Sequence, residues 1–245
     1  MRRWLVLPLA LLLAGLGWLT FAFFGWREAK MAMLEPPPAL ETASAIAPAD
    51  PPVLLLFGDS RIAQWNPAPE RNYSIVVAGY PGETAIRLIP RFARSIAEHR
   101  PTAVVLQLGV NDAVAASLVS ADRRDTALQD SLDAITAMAA LAQANGVDLI
   151  IMAVIPPIRP DLKRRILFQG GVDAYVTALN MALPGIAARH GAQFVDPMPL
   201  LRDGSGQVPD RFRRDSLHLT PDAYAALEPL VPISLPMPQP AGAAG

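Results

Sequence analysis

Val53–Trp65 reads VLLLFGDSRIAQW. Five apolar residues run without a break into Gly58, Asp59 and Ser60, and apolar character returns at Ile62 and Trp65. A short β-rich run with no polar alternation is the pattern of a strand buried on both faces, and its end on a glycine, a carboxylate and a hydroxyl marks a turn at the strand terminus. Whether that hydroxyl does chemistry depends on what else the chain brings beside it.

Four similar runs follow, at Ser74–Ala78, Ala103–Leu108, Asp148–Val154 and Gln193–Val195. Longer stretches with helical spacing lie between several of them. After Ser120, residues Leu128, Leu132, Ile135, Ala139 and Ala142 recur at steps of three and four; Ser120 suits the start of that helix and Asn145-Gly146 its end. Further helices are expected over Glu83–His99 and Val172–His190. Continuous apolar strands separated by helices predict a mostly parallel five-stranded sheet covered on both faces, and ligands in such sheets sit at the carboxyl ends of the strands. Gly58-Asp59-Ser60 falls at one of those ends.

The flanks are of another kind. Trp4–Trp26 is 23 residues without a charge, opened by Arg2-Arg3 and closed by Arg27 to Lys30, with tryptophans near both ends. That is long enough to span a bilayer, so residues 1–30 are expected to be an uncleaved transmembrane anchor, and no convincing small-x-small cleavage site follows. The modest charge asymmetry puts the amino terminus in the cytoplasm and the body in the periplasm; secretion after cleavage of a signal peptide is the alternative. Residues 31–52 are rich in proline and alanine and read as a semi-rigid linker, residues 53–228 as one folded domain, and residues 229–245 as a Pro/Ala/Gly-rich tail.

Beyond residue 30 the chain carries 17 basic against 21 acidic groups, a net −4, which argues against a nucleic-acid footprint. The absence of cysteine excludes disulfides, thiol catalysis and Cys-based zinc sites. Three histidines without His-Glu-x-x-His, and no Gly-rich phosphate loop, leave no metal or other cofactor expected. The Gly-x-Ser-x-Gly elbow is not present either, since Ile62 holds its last place.

Two more strand ends carry polar groups: SIVVAGYPGETA delivers Gly79 and Gly82, and AVVLQLGVNDA delivers Gly109, Asn111 and Asp112. Near the end of the body, RRDSLHLTPDAY offers Asp215 and His218 before Thr220-Pro221-Asp222, a good helix start. Gly-Asp-Ser after the first strand, a glycine after the second, Gly-x-Asn-Asp after the third and Asp-x-x-His near the end resemble the four signature blocks of the SGNH, or GDSL-type, hydrolases. The blocks span Gly58 to His218, nearly the whole domain.

The resemblance implies a three-layer α/β/α, flavodoxin-like domain that works as a serine esterase. It implies Ser60 as nucleophile, His218 as general base and Asp215 as the group that orients the imidazole. The backbone N–H groups of Ser60 and Gly82, with the Asn111 amide, would form the oxyanion hole; Gly79 is an alternative donor, and Glu83 departs from the aspartate often found there in relatives. The residue types suit the chemistry: a serine hydroxyl needs an imidazole to take its proton, the imidazole a partner that fixes its tautomer, and the developing oxyanion aimed donors.

Simpler roles are expected for other candidates. His99 and His190 lie at helix ends and complement the dipole or cap carbonyls. Asp59 hydrogen-bonds its own loop, Asp112 braces the Asn111 turn, and Trp65 packs in the core. Arg159, Lys163, Arg164, Arg165, Arg211, Arg213 and Arg214 read as a solvated face or a contact for anionic headgroups, although the segment after the fourth strand should overhang the site. The expected substrate is an O-acyl group, acetyl foremost, on extracytoplasmic carbohydrate, removed by water or transferred to a sugar within polysaccharide acylation machinery. The alternatives are a lipid or thioester hydrolase of lysophospholipase type, and a catalytically silent scaffold.

Overall fold

The computed structural model of the chain describes residues 6–36, 49, 51–68, 73–158 and 171–230, with side chains from residue 11 onward. Most of the linker, the basic residues Arg159, Lys163, Arg164 and Arg165, and nearly all of the tail therefore lie outside the described residues.

Among the described residues five strands form one sheet: β1 (Val53–Gly58), β2 (Ser74–Gly79), β3 (Ala103–Gln107), β4 (Asp148–Met152) and β5 (Gln193–Val195). Their order is β2-β1-β3-β4-β5 and every pairing among the described strands is parallel, the expected architecture. All six residues of β1 are buried, as its unbroken apolar run requires of a central strand, whereas the edge strand β2 is half open. β4 ends at Met152, two residues before the expected Val154, although the Ala153 N–H still donates to the Val195 carbonyl of β5 at 2.8 Å.

Side chains alternate across the sheet. Leu55, Phe57, Val104, Leu106 and Ile151 point into one core, closed by α3 (Ala85–His99), α4 (Val110–Ala116), α5 (Ala121–Ala144) and α6 (Gly171–Arg189). Leu54, Leu56, Val105, Ile150 and Met152 point into the other, closed by α2 (Ser60–Ala63), α7 (Met198–Leu201) and α8 (Pro221–Leu227). Three layers result, as period-two alternation in a doubly covered sheet demands.

The helix boundaries carry the expected signals with one exception. Thr220 caps α8, with Pro221 in its first turn, and Gly146 follows α5 at φ 66°. Ser120 stands at the N-cap of α5, but its side chain makes no capping hydrogen bond. The small helix α4 has no counterpart in the sequence pattern, and it places Asn111 in a helical first turn rather than in a loop.

Before the domain runs α1 (Val6–Ala32), whose side chains from residue 11 to 25 are all exposed, Phe21 at 79%. Trp26, Arg27, Lys30 and Met31 are half-buried. Among the described residues, no helix is long and apolar enough to cross a membrane.

Candidate active site

The topology reverses beside β1: β2 lies on one side and β3 on the other, so their carboxyl ends meet at one crevice. Gly58 pairs with Gly79 and with Gln107, which brings the three polar loops of the sequence together. Gly79 is fixed by packing, since a Cβ there would lie 2.1 Å from the Ala63 nitrogen of α2.

Asp59 caps α2, its Oδ1 accepting from the Arg61 N–H at 2.9 Å, the loop role expected of it. Burial raises the Asp59 carboxyl above its ordinary value, against the neighbouring Arg61 charge and N–H. Ser60 opens α2 and is 8% exposed; its Oγ lies 3.1 Å from His218 Nε2.

The loop carrying His218 is shaped by its own aspartate. Asp215 Oδ1 accepts from the N–H groups of Leu217 at 2.7 Å and His218 at 3.0 Å, an Asx-type turn, while Oδ2 meets His218 Nδ1 at 2.8 Å. Arg213 and Leu219 bridge across the base of the loop. Partial burial pushes the Asp215 carboxyl up, but the hydrogen bonds from the His218 ring, Leu217 and His218 outweigh it and hold it at about 2. An ionised Asp215 favours the tautomer with its proton on Nδ1, so Nε2 presents a lone pair to the Ser60 hydroxyl. This arrangement can withdraw the hydroxyl proton as the oxygen attacks an electrophile.

The structure brings Asn111 to the loop that holds Gly82: Asn111 Nδ2 donates to the Glu83 carbonyl at 3.0 Å, which leaves the second amide hydrogen for another acceptor. Gly82 has φ +84° in open surroundings, a conformation that only glycine adopts without strain. Glu83 itself pairs outward with Arg87 at 2.8 Å, so its departure from aspartate leaves the loop backbone in place.

Asp112 does not brace the Asn111 turn. Its carboxylate accepts from the Ala85 N–H at 2.9 and 3.1 Å and from Ser131 Oγ at 2.7 Å, so it ties the start of α3 to α5 under the site. Burial, opposed by those hydrogen bonds, pushes it up to about 6. His190 bonds the side chain of Gln143 at 3.0 Å rather than a helix carbonyl, and both it and His99 lie away from the crevice on helix ends. Trp65 is buried against Tyr224 as core.

A buried arginine outside the sequence motifs is central to the site. Arg61 is 1% exposed; its Nε donates to Leu217 O at 2.8 Å and its Nη1 to Ile155 O at 2.5 Å, while the Tyr224 hydroxyl donates to the Arg61 carbonyl at 2.7 Å. The available signal was an arginine placed between positions that the apolar pattern buries. Among the described residues no cluster of histidine and acidic side chains could hold a metal ion.

A model of the GDSL-like lipase/acylhydrolase family matches residues 56–226, a span containing Ser60, Gly82, Asn111, Asp215 and His218. Solved structures with the same fold include a GDSL-like lipase from Bacteroides thetaiotaomicron, 20% identical over 86% of this chain and 96% of that one, with a TM-score of 0.57. An aryl esterase from M. smegmatis is 17% identical over 73% and 95%, TM-score 0.56. A carbohydrate acetylesterase from Sinorhizobium meliloti is 16% identical over 74% and 96%, TM-score 0.55. No match was found among the curated proteins. With its family match covering well over half its length, the chain belongs to the GDSL-like lipase/acylhydrolases.

Proposed function

We propose that the chain is a membrane-anchored serine esterase working through an acyl-enzyme, with O-acyl groups on extracytoplasmic carbohydrate as its substrate. The observation that carries the catalytic part is the continuous line from Ser60 Oγ through the His218 ring to Asp215. Ser60 Oγ attacks the ester carbonyl as its proton passes to His218 Nε2. The Ser60 and Gly82 N–H groups and the Asn111 amide take the oxyanion, and the imidazolium gives its proton to the departing alkoxide. Water, or a sugar hydroxyl, then attacks the acyl-serine by the same route in reverse. The product is the free acid or a new ester, and Ser60 is regenerated.

The carbohydrate assignment draws on the solved acetylesterase of the same fold, and on the anchor reading. The anchor reading draws on the charge-free run Trp4–Trp26 and on a helix whose apolar side chains are exposed throughout residues 11–25. It sets the protein in the cytoplasmic membrane with its domain on the periplasmic side. The lined-up serine and histidine speak against a silent scaffold.

Acetate release from an acetylated oligosaccharide by the purified chain, lost in His218→Ala, is the expected result. A chain that cleaves long-chain lipid or thioester substrates while leaving acetylated saccharides intact would replace the carbohydrate reading with the lipid one.

A further inference from the structure

The last turns of α1 are seated on the same edge of the sheet as the site. Arg27 Nη2 donates to the Leu118 carbonyl at 3.1 Å, just past α4, and Thr84 Oγ1 donates to the Met33 carbonyl. Leu34 packs against the α3/α4/α5 core. Thr84 is fully buried at the N-cap of α3 and follows Glu83, whose carbonyl holds the Asn111 amide. α4 is seven residues long, so Asn111 near its start and Leu118 just beyond its end are separated by roughly 10 Å. The charge-free run ends at Trp26, beside Arg27. The place where the chain leaves its apolar stretch is thus one short helix from the oxyanion loop.

The Ala49 N–H donates to the Arg100 carbonyl at 3.0 Å, and Arg100 caps the far end of α3. Met33 and Ala49 are therefore fixed at opposite ends of a 15-residue helix, about 22 Å apart. Residue 49 thus lies at the edge where β1 begins, while residues 33 and 34 are held beside the catalytic edge. Among the described residues nothing covers the exposed apolar side chains of residues 11–25, and Arg27 and Lys30 follow them as cations suited to an anionic headgroup layer.

From these contacts we infer that the catalytic edge is held in the headgroup layer of the bilayer, and that the ester attacked is one presented there by a membrane-bound amphiphile, a lipid or a lipid-linked saccharide. This rests on the anchor part of the proposed function. A headgroup layer of roughly 5–8 Å on each side is comparable with the separation between Arg27 and the oxyanion loop. An ester fixed at that depth meets Ser60 without leaving the membrane.

The chain has no cysteine, so a single introduced one is unique. The full chain is reconstituted in vesicles containing phosphatidylglycerol, with a fluorophore on Ser120→Cys, beside Leu118, or on Ala144→Cys, at the other end of α5 about 36 Å away. Headgroup-labelled quencher lipid is expected to quench the first several-fold more than the second. Equal quenching, or stronger quenching at residue 144, overturns the proposal. Loss of the chain from the vesicles on alkaline washing overturns the anchor reading, and the proposal with it, and is seen separately from the quenching result.

The same vesicles are then given one acyl ester in three forms: free in solution, on a phospholipid, and on a lipid-linked saccharide. A membrane-borne form is expected to be preferred at least about tenfold through its raised effective concentration, and the preferred form identifies the amphiphile. No preference for either overturns the proposal.

Discussion

Arg61 donates from Nε to the Leu217 carbonyl at 2.8 Å, so the residue that follows the Ser60 hydroxyl holds the residue that precedes the His218 imidazole. The same guanidinium reaches Ile155 beyond β4 and lies beside the buried Asp59. Three loops of the catalytic edge are joined through one buried cation. Arg61→Met leaves the Leu217 and Ile155 carbonyls without their donor and the buried Asp59 carboxyl, which keeps the residue 61 N–H, without its neighbouring positive charge, and its expected cost is about 3–5 kcal/mol of stability in urea denaturation. Arg61→Lys places one ammonium where a planar fork served two acceptors. It is expected to fold and to lose kcat on a short-chain ester with little change in KM; an unchanged kcat would disconnect Arg61 from the placement of His218.

Asp215→Asn keeps one oxygen for the Leu217 and His218 N–H groups but can present an amide to Nδ1. The imidazole then turns its proton toward Ser60, and kcat is expected to fall by about 10³–10⁴-fold with the fold intact. Steady-state kinetics and a thermal melt check both halves. A loss below tenfold would mean that the tautomer is fixed by something other than Asp215.

Gly79 and Gly82 are expected to fail in different ways. A Cβ at residue 79 meets the backbone of α2, so Gly79→Ala should lower Tm sharply. Gly82 has open space around it and only its φ to lose, so Gly82→Ala should cost about 1–2 kcal/mol of stability. Its larger effect should be on kcat, as the loop N–H turns away from the oxyanion. A Gly82→Ala enzyme of full activity would move the second backbone donor to Gly79.

Asp112 makes stability depend on pH in a direction opposite to Asp215. Its carboxyl is raised from 3.8 to about 6 on folding, so its protonated form favours the native state. That contribution is complete below pH 3.8 and disappears as pH rises through about 6. The difference is of order 3 kcal/mol. The stability of the wild type relative to Asp112→Asn should therefore decline between those limits in denaturant titrations. Asp215, held at about 2, contributes above 3.8 and loses that contribution as pH falls through 2.

The strands and the Ser60 turn were legible because burial on both faces writes an uninterrupted apolar run that ends on a glycine. The Asp215-x-x-His218 pair was legible because its geometry is made within four residues. α4 was not: VNDAVAA is buried on nearly every side, so it has no polar face to give helical periodicity. Asp112 was misread as local because its partner Ser131 stands nineteen residues on, in another helix. Arg61 was passed over because arginine is rarely buried, and its burial depends on carbonyls converging from loops 94 and 156 residues away. The seat of α1 depends on hydrogen bonds spanning 91 and 51 residues and on the packing of Leu34, which no local pattern records.

The central claim is that Ser60 is a nucleophile activated by His218. A fluorophosphonate probe reacts covalently only with such a serine, and intact mass followed by peptide mapping locates the adduct. The expected result is one probe per chain on Ser60, absent from Ser60→Ala and strongly slowed in His218→Ala. Labelling that persists in Ser60→Ala, or that proceeds at the full rate in His218→Ala, would contradict the account.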